Sequence, residues 1–477
     1  MARTRVSEEE AKFDALITAG FSYKREDLPP LDGDLVQFTS FNKDLDKEVV
    51  KITEIEQEKE KFEYDLGLIV PLPTGGKLKF SGSLDEKNKL SPRSFEQHVS
   101  AMKFSLSQPL LRGAGVEANV APIRIARLAA GKVAVKTKLA AIRVLAGAEK
   151  AYWKVYGARR MRDVQQQQFD LAAQNLEMVR RRVEEGLSAG IEVIRSELGV
   201  TQRLEDLILA DTELRIQQRK LRMIMNDPSL PLESETFIVP TTEPRLIPFE
   251  LSNDELAAAA LENRMEMLEL ELSLAQDALK IDLARNKALP NFVLDFEYGI
   301  LDRRSSFSRA WQEMWDFDNS QLSIGLRGEI PVTNIARRSQ VQRAVLKRLQ
   351  RLSSQELRAL KIKQEVYNAV DALNRDWLRI LAARQNVIVA GVNYDAEMNQ
   401  FREGLRTMRE VVEALTSLGK AQLKEIKAIV SYQIDQIDLA YATGTVLGYA
   451  QIDIEPLVLP EPYQPEHDLL VQPDWDE

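Results

Sequence analysis

The 477-residue chain has no cysteine and only two histidines, His98 and His467. Without thiols it forms no disulfide, no iron–sulfur cluster, no thiolate nucleophile and no lipid-modified amino-terminal Cys. Two imidazoles so far apart in sequence make a poor basis for a His-based metal site or a catalytic triad. No apolar run is long enough for a membrane-spanning helix, and the opening "MARTRVSEEEAKFDALITAG" lacks the continuous apolar core of a signal peptide. No phosphate-binding loop occurs either, since "PTGG" at 73–76 reads as a turn. Neither an enzyme nor a cofactor is therefore expected. With 64 Lys and Arg against 73 Asp and Glu, interspersed and summing to −9, no nucleic-acid partner is expected.

Two kinds of periodicity are present. Residues 1–60 read as polar and irregular, with a loop at "EDLPPLDGD" and a short helix in "NKDLDKEVVKITEIEQEKEK". From Phe62 the period becomes two: Tyr64, Leu66, Leu68, Val70 and Leu72 alternate with small or polar residues, "PLPTGG" turns, and Leu78, Phe80, Gly82 and Leu84 continue. Met102, Phe104 and Leu106 alternate again up to "QPLLRGAG". Such alternation escapes a hydropathy scan and leaves a membrane β-barrel open.

From Val116 to about Glu185 the composition turns to strong helix formers. Such a tract makes a rod of order 100 Å, too long for a globular helix and pointing to a coiled coil or helical barrel. Val135, Leu139, Ile142 and Ala146 step by heptad intervals. So do Ala172, Leu176, Val179 and Val183, and again Leu423, Ile426, Val430, Ile434, Ile437 and Tyr441. These stripes read as seams between helices.

After a Pro-rich connection at 227–250, with a short strand expected at Phe237–Val239, residues 252–288 read as a helix opened by Ser252 and Glu255. Phe292, Leu294, Phe296, Tyr298 and Ile300 then alternate, as do Leu322, Ile324, Leu326 and Ile330. Between them lies an aromatic loop holding Trp311 and Trp315, readable either as a lipid–water boundary anchor, which is preferred, or as packing inside a mouth. A second helical tract covers about 335–403 and, after an interruption, continues to about 448. The order of strands, long helix, break and helix thus occurs twice, with Gly186 in "VEEGLSAGIEVIRS" and Gly404 in "REGLRTMREVVEAL" marking equivalent breaks. The expected division is 1–61 as an N-terminal segment, 62–230 and 289–450 as the two repeats, 231–288 as a linker, and 451–477 as a tail.

Counting two amphipathic strands in each repeat, four strands cannot enclose an interior, so several copies would have to pool them. Asp295, Glu297, Arg327 and Glu329 share one strand face and the other is apolar. That suits lipid outside and water inside, but also a soluble β-layer capping a coiled coil.

Over roughly residues 60–450 the chain resembles the TolC-like family of bacterial outer-membrane efflux proteins. The resemblance is carried by "FSLSQPLLRGAG", "AYWKVYGAR", "VEEGLSAGIEVIRSE", "ALENRMEMLELELSLAQDALKIDLARNKALPNFVLDFEYG", "GLRGEIPVTNIARRSQVQRA" and "FREGLRTMREVVEALTSLGKAQL". It implies an α + β membrane protein: a homotrimer in which four strands per protomer complete a twelve-stranded outer-membrane barrel, continued by a periplasmic α-helical barrel. Its implied role is passive export of small molecules or polypeptides alongside a periplasmic adaptor and an inner-membrane transporter. The residues that match the family's tip are Glu410 and Glu413 at the pore constriction, the first-break acid Glu192, and Arg406, a basic position tying the two breaks together. Three copies of Glu410 and Glu413, one helical turn apart, would form a carboxylate ring that favours cations and is open to block by a divalent ion. Taken alone, these residues also fit an ordinary solvated helix start.

Two departures stand out. "RMEM" at 264–267 replaces the family's Arg-Pro-Asp-Leu, removing a helix-starting proline, and the missing export signal reads as a mature or recombinant form. The competing reading from another class is a soluble coiled-coil scaffold with a β-cap.

Overall fold

The computed structural model describes residues 2–28, 35–42, 47–54, 57–91 and 95–452. The tail expected at 451–477 therefore lies almost wholly outside the described residues. The described residues fall into two compact units, with boundaries at Gly131/Lys132, Glu271/Leu272 and Arg351/Leu352. Each boundary falls inside a helix.

The first unit holds a six-stranded antiparallel sheet. After a short helix α1 (Ala2–Glu10) come β1 (Leu16–Leu28), a separate hairpin of β2 (Leu35–Asn42) and β3 (Lys47–Glu54), then β4 (Gln57–Pro71), β5 (Lys77–Ser91) and β6 (Phe95–Pro109). The second repeat adds β7 (Asn291–Arg304) and β8 (Ser320–Glu329), giving the order β1-β4-β5-β6-β7-β8. The expectation of four strands is thus exceeded. The helix expected within 42–61 is also corrected where residues are described, 43–46 and 55–56 lying outside them: Lys47–Glu54 pairs with β2, and residues 57–61 belong to β4. Its Lys- and Glu-rich composition suits a helix, but cross-strand pairing decides the conformation of such a segment.

Register places matching faces together. Ile17, Leu68, Phe80, Phe104, Tyr298 and Leu322 form one cross-strand row through successive pairings, and Thr18, Gly67, Ser81, Lys103, Gly299 and Gln321 form the adjacent row on the opposite face. Aromatic contacts cement the apolar face: Phe21–Tyr64 at 5.0 Å, Phe80–Phe104 at 5.0 Å and Phe104–Phe296 at 6.2 Å. On the polar face Arg327 pairs with Asp295 at 2.6 Å, and Ser107 donates to Asp295 at 2.8 Å. The β4–β5 turn needs Gly75: its φ is +89°, and a Cβ there would lie 2.1 Å from the Gly113 carbonyl oxygen.

Alternating strands give way to α2 (Val116–Glu184), α3 (Gly190–Met225), α4 (Asn253–Asn263), α5 (Met265–Ala288), α6 (Phe307–Met314), α7 (Ile335–Arg402), α8 (Met408–Thr443) and α9 (Val446–Tyr449). In the second unit the heptad stripes are buried as seams. Ile142, Ala146, Trp153, Val430 and Ile437 form one cluster; Val179, Met398, Phe401, Met408 and Val411 form another.

Two expectations are corrected in the linker. Phe237–Val239 forms no strand; this stretch runs along α3, where Gln218 donates to the Ile238 carbonyl at 3.3 Å and Arg222 to that of Ser234 at 2.8 Å. Side chains rather than a sheet ladder thus satisfy its backbone. The single helix expected over 252–288 breaks at Arg264, whose ψ is 126°, and Ser252 makes no side-chain cap bond. Losing the family's proline has not removed that boundary. Arg264, only 3% exposed, pairs with Glu266 at 2.6 Å and with Glu365, and lies over the Tyr441 ring. Burial works against the charge on Glu266, yet the bond from Arg264 and its charge hold the carboxyl below its usual range.

The aromatic loop contains α6, which buries Ala310 and Met314 and packs on β6 and β7. Trp311 and Trp315 meet edge to face at 6.1 Å, and Trp315 stays half-exposed.

Candidate functional site: the paired helix breaks

Both breaks lie in the second unit and are built alike from the backbone up. At the end of α2 the Gly186 N–H donates to the Val183 carbonyl and the Leu187 N–H to that of Arg182; at the end of α7 Gly404 donates to Phe401 and Leu405 to Gln400. This is the Schellman pattern, and it requires a left-handed residue just past the helix; Gly186 and Gly404 supply it with φ of +76° and +77°. Each glycine thus sits one residue past its helix cap, within the turn itself.

The returning helices start differently. Thr407 caps α8 in a reciprocal box: the Glu410 carboxylate accepts from the Thr407 N–H at 3.1 Å and from its hydroxyl. Those bonds, the hydroxyl's foremost, hold the Glu410 carboxyl below its ordinary range. At the matching place Ala189 heads α3 and has no side chain for the role. Glu192, the residue equivalent to Glu410, instead pairs with Arg195 at 2.6 Å, and its Oε2 is buried without a hydrogen-bond partner.

The four expected tip residues sit on these breaks but are not brought together as expected. Arg406 reaches back to its own preceding helix, donating to Gln400 at 3.1 Å and lying 3.6 Å from Glu397. Glu192 and Arg406 thus have separate partners and form no link. Glu413 pairs with Arg409 at 2.9 Å, and both are well exposed. Of the three expected carboxylates, Glu413 is the one open to solvent, whereas Glu410 is engaged in the cap.

The tie that does join the breaks was not anticipated. Arg182 of α2 donates to the Arg402 carbonyl of α7 at 2.9 Å, and its guanidinium lies 5.1 Å from the Phe401 ring centre. A cation at the carbonyl end of a helix is also favoured by the helix dipole. The signal was present in the sequence as an arginine in the last turn of α2 beside an aromatic in the last turn of α7, but nothing local announces that they meet. Arg180 pairs with Glu197 at 2.7 Å and Arg203 donates to Thr416, joining α2 to α3 and α3 to α8.

Farther along the same helices, Asp376 of α7 faces Asp435 of α8. Arg375 and Arg379 donate to Asp376 at 2.7 and 2.8 Å. Burial opposes ionisation of Asp376, but these bonds hold it below its usual value. Burial, then the neighbouring Asp376 charge, push Asp435 up to about 6. This pair also went unrecognised in the sequence. Among the described residues no cluster of His, Cys, Asp and Glu suited to a metal occurs.

Comparison with known proteins agrees with this fold. The model of the outer membrane efflux protein family matches residues 72–227 and 256–445. Outer membrane protein TolC of Salmonella enteritidis is 30% identical over 184 residues, 37% of this chain and 38% of the relative; its counterpart from Escherichia coli K12 is 28% identical over 187 residues. The aligned part thus spans well under half of those relatives. The structure of CusC aligns over 93% of this chain and 86% of its own at a TM-score of 0.65 and 14% identity. The outer membrane protein VceC of Vibrio cholerae aligns over 93% and 90% at 0.62 and 13% identity. The MtrE outer membrane channel of Neisseria gonorrhoeae, solved in an open state, aligns over 94% and 84% at 0.61 and 14% identity. With the family model covering most of its length, the chain belongs to the outer membrane efflux protein family and is a protein of the bacterial outer membrane reaching into the periplasm.

Proposed function

We propose that the chain assembles as a homotrimeric channel-tunnel for passive export of small molecules or polypeptides, working with a periplasmic adaptor and an inner-membrane transporter and gated at the helix breaks. The observation that carries this reading is the matched pair of Schellman turns, which send two long helices back on themselves with a carboxylate one turn into each return. The two-faced sheet supports it, because an apolar face beside a charged one fits a wall between lipid and water. In this reading three copies of Glu413, with Glu410 behind them, form the cation-favouring constriction. Glu192 and Arg406 brace their own helices. The test is the purified chain in detergent and in planar bilayers: a mass of three copies and discrete, cation-selective conductance support the reading. A monodisperse species without detergent that lacks heat-modifiable mobility would instead favour the soluble scaffold.

A further inference from the structure

We propose that β1 of one copy pairs with β8 of the next, so that three chains close a barrel of eighteen strands rather than twelve. This rests on the trimeric reading above and concerns how the trimer closes.

The first two strands of the sheet, β1 and β4, lie ahead of residue 72, where the family match begins. They are nonetheless full members of the sheet. β1 pairs with β4 from Leu16↔Ile69 to Leu28↔Gln57, and β4 with β5 along its length. Ile17, Phe21 and Tyr23 continue the apolar face, and Phe21 and Tyr23 stack on Tyr64 and Phe62 at 5.0 and 4.7 Å. On the other face Thr18 and Ser22 sit opposite Gly67 and Glu63, and Ser22 donates to Glu63 at 3.5 Å. The added strands thus repeat the lipid-side and water-side alternation of β5 to β8. A strand that merely shielded an edge would have no need of it.

Among the described residues, no strand pairs with the outer edge of β1 from Leu16 to Ser22 or with that of β8. The edge strands also carry the most exposed apolar side chains of the sheet: Ile17 at 80%, Phe21 at 61%, Ile324 at 67% and Leu326 at 64%. A sheet in hydrocarbon cannot leave a row of backbone N–H and C=O groups unpaired, so both edges must be closed. Six strands are too few to close on themselves in a membrane, where the smallest barrels have eight.

The edges fit each other. Every neighbouring pair is antiparallel, so with six strands the first and last run in opposite directions. Pairing β1 with a neighbour's β8 therefore continues the antiparallel alternation. Their lengths, 13 and 10 residues, both suffice to cross the bilayer core. Their faces match as well: apolar Ile17 and Phe21 would fall beside apolar Leu322, Ile324 and Leu326. Because diameter grows roughly linearly with strand number, the barrel would be about half again as wide as a twelve-stranded one.

The absence of native cysteine makes cross-linking a clean test. Thr18→Cys on the water-side face of β1 is combined in turn with Gln321→Cys, Ser323→Cys, Gly325→Cys, Arg327→Cys and Glu329→Cys, all on the same face of β8, so that the register shear of a closed barrel is covered at two-residue steps along the whole strand. A parallel set replaces Thr18→Cys with Ser81→Cys on β5, the strand that would meet β8 if β1 and β4 stood outside a twelve-stranded barrel. Antiparallel neighbours bring Cα atoms within disulfide range. The mass of each variant in detergent is measured separately. The expected result is a trimer that oxidation converts to covalent dimers and trimers with Thr18→Cys in at least one register and with Ser81→Cys in none. Cross-links from Ser81→Cys, or a trimer with none from Thr18→Cys, overturn the eighteen-stranded closure and leave the trimer standing. A particle that is not a trimer overturns both.

Discussion

The Arg182 guanidinium, in the last turn of one long helix, donates through Nη1 to the main-chain carbonyl of Arg402, in the last turn of the other, at 2.9 Å. One side chain thus cross-ties the two breaks while lying over the Phe401 ring. Arg182→Ala removes a charge-assisted bond and a cation–π contact together, a loss of roughly 1–2 kcal/mol at the tip. Faster amide exchange is expected at 399–408, with exchange in the Ile437 seam unchanged. Arg182→Lys retains the charge but loses the fork over the ring, and is expected to fall between.

The carboxylates Glu410 and Glu413 are separable by chemistry. Glu410→Gln keeps a capping-box acceptor and removes the charge, whereas Thr407→Ala removes the cap, for roughly 1 kcal/mol, and leaves the charge. If the constriction is electrostatic, Glu413→Gln lowers cation selectivity in planar bilayers most, Glu410→Gln lowers it less, and Thr407→Ala changes it little while lowering the thermal midpoint. Unchanged selectivity in both Gln variants would remove these residues from the pore.

Gly186→Ala and Gly404→Ala each force a Cβ into a left-handed position with no atom within 4 Å of it. The cost is backbone strain alone, about 1 kcal/mol in each case. Thermal unfolding should therefore drop by similar amounts in both, and their effects should add, because the loss at each comes from its own φ rather than from a shared contact.

Asp435 makes stability depend on pH. Its carboxyl titrates near 6 in the folded chain against an ordinary value of 3.8. The folded state therefore holds the extra proton between these values, and the stability contributed by Asp435 falls as pH rises through that window. Asp435→Asn should flatten this slope and stabilise the α7–α8 pair above pH 6 by on the order of 2 kcal/mol, with little effect near pH 4. Denaturant midpoints across the window provide the measurement. A slope unchanged by Asp435→Asn would assign it to other groups. Asp376→Asn is the useful contrast, because removing the facing charge should bring Asp435 back towards its ordinary value.

Much of the fold was legible because its signals are local and repeated. Heptad spacing around Val179 and Ile437 marked the seams, alternation through Phe80, Phe104 and Phe296 marked three strands, and the two Glu-Gly-Leu segments marked the turns. β1 was harder to read, because "LITAGFSYKREDL" alternates only over Ile17, Ala19, Phe21 and Tyr23 before ending in charge, and a strand of that kind is stabilised by its partner β4. The break at Arg264 survived the loss of its proline because an ion network centred on the buried Arg264, tying it to Glu266 of α5 and Glu365 of α7, holds it. No window of sequence contains that network.

At the tip the division is equally physical. The sequence by itself determined that each long helix must stop at its glycine and restart with an acid at the third helical position, because backbone φ and capping act over six residues. Only the tertiary structure decided which charges meet. Arg182 crosses to Arg402 while Arg406 folds back to Gln400 and Glu192 turns to Arg195, because the reach and direction of a side chain depend on how neighbouring helices are packed. The sheet follows the same rule: alternation assigned an apolar and a polar face to the strands it marked, and only the assembled register, running from β1 to β8, set the sheet at six strands and put Leu16–Ser22 on its edge.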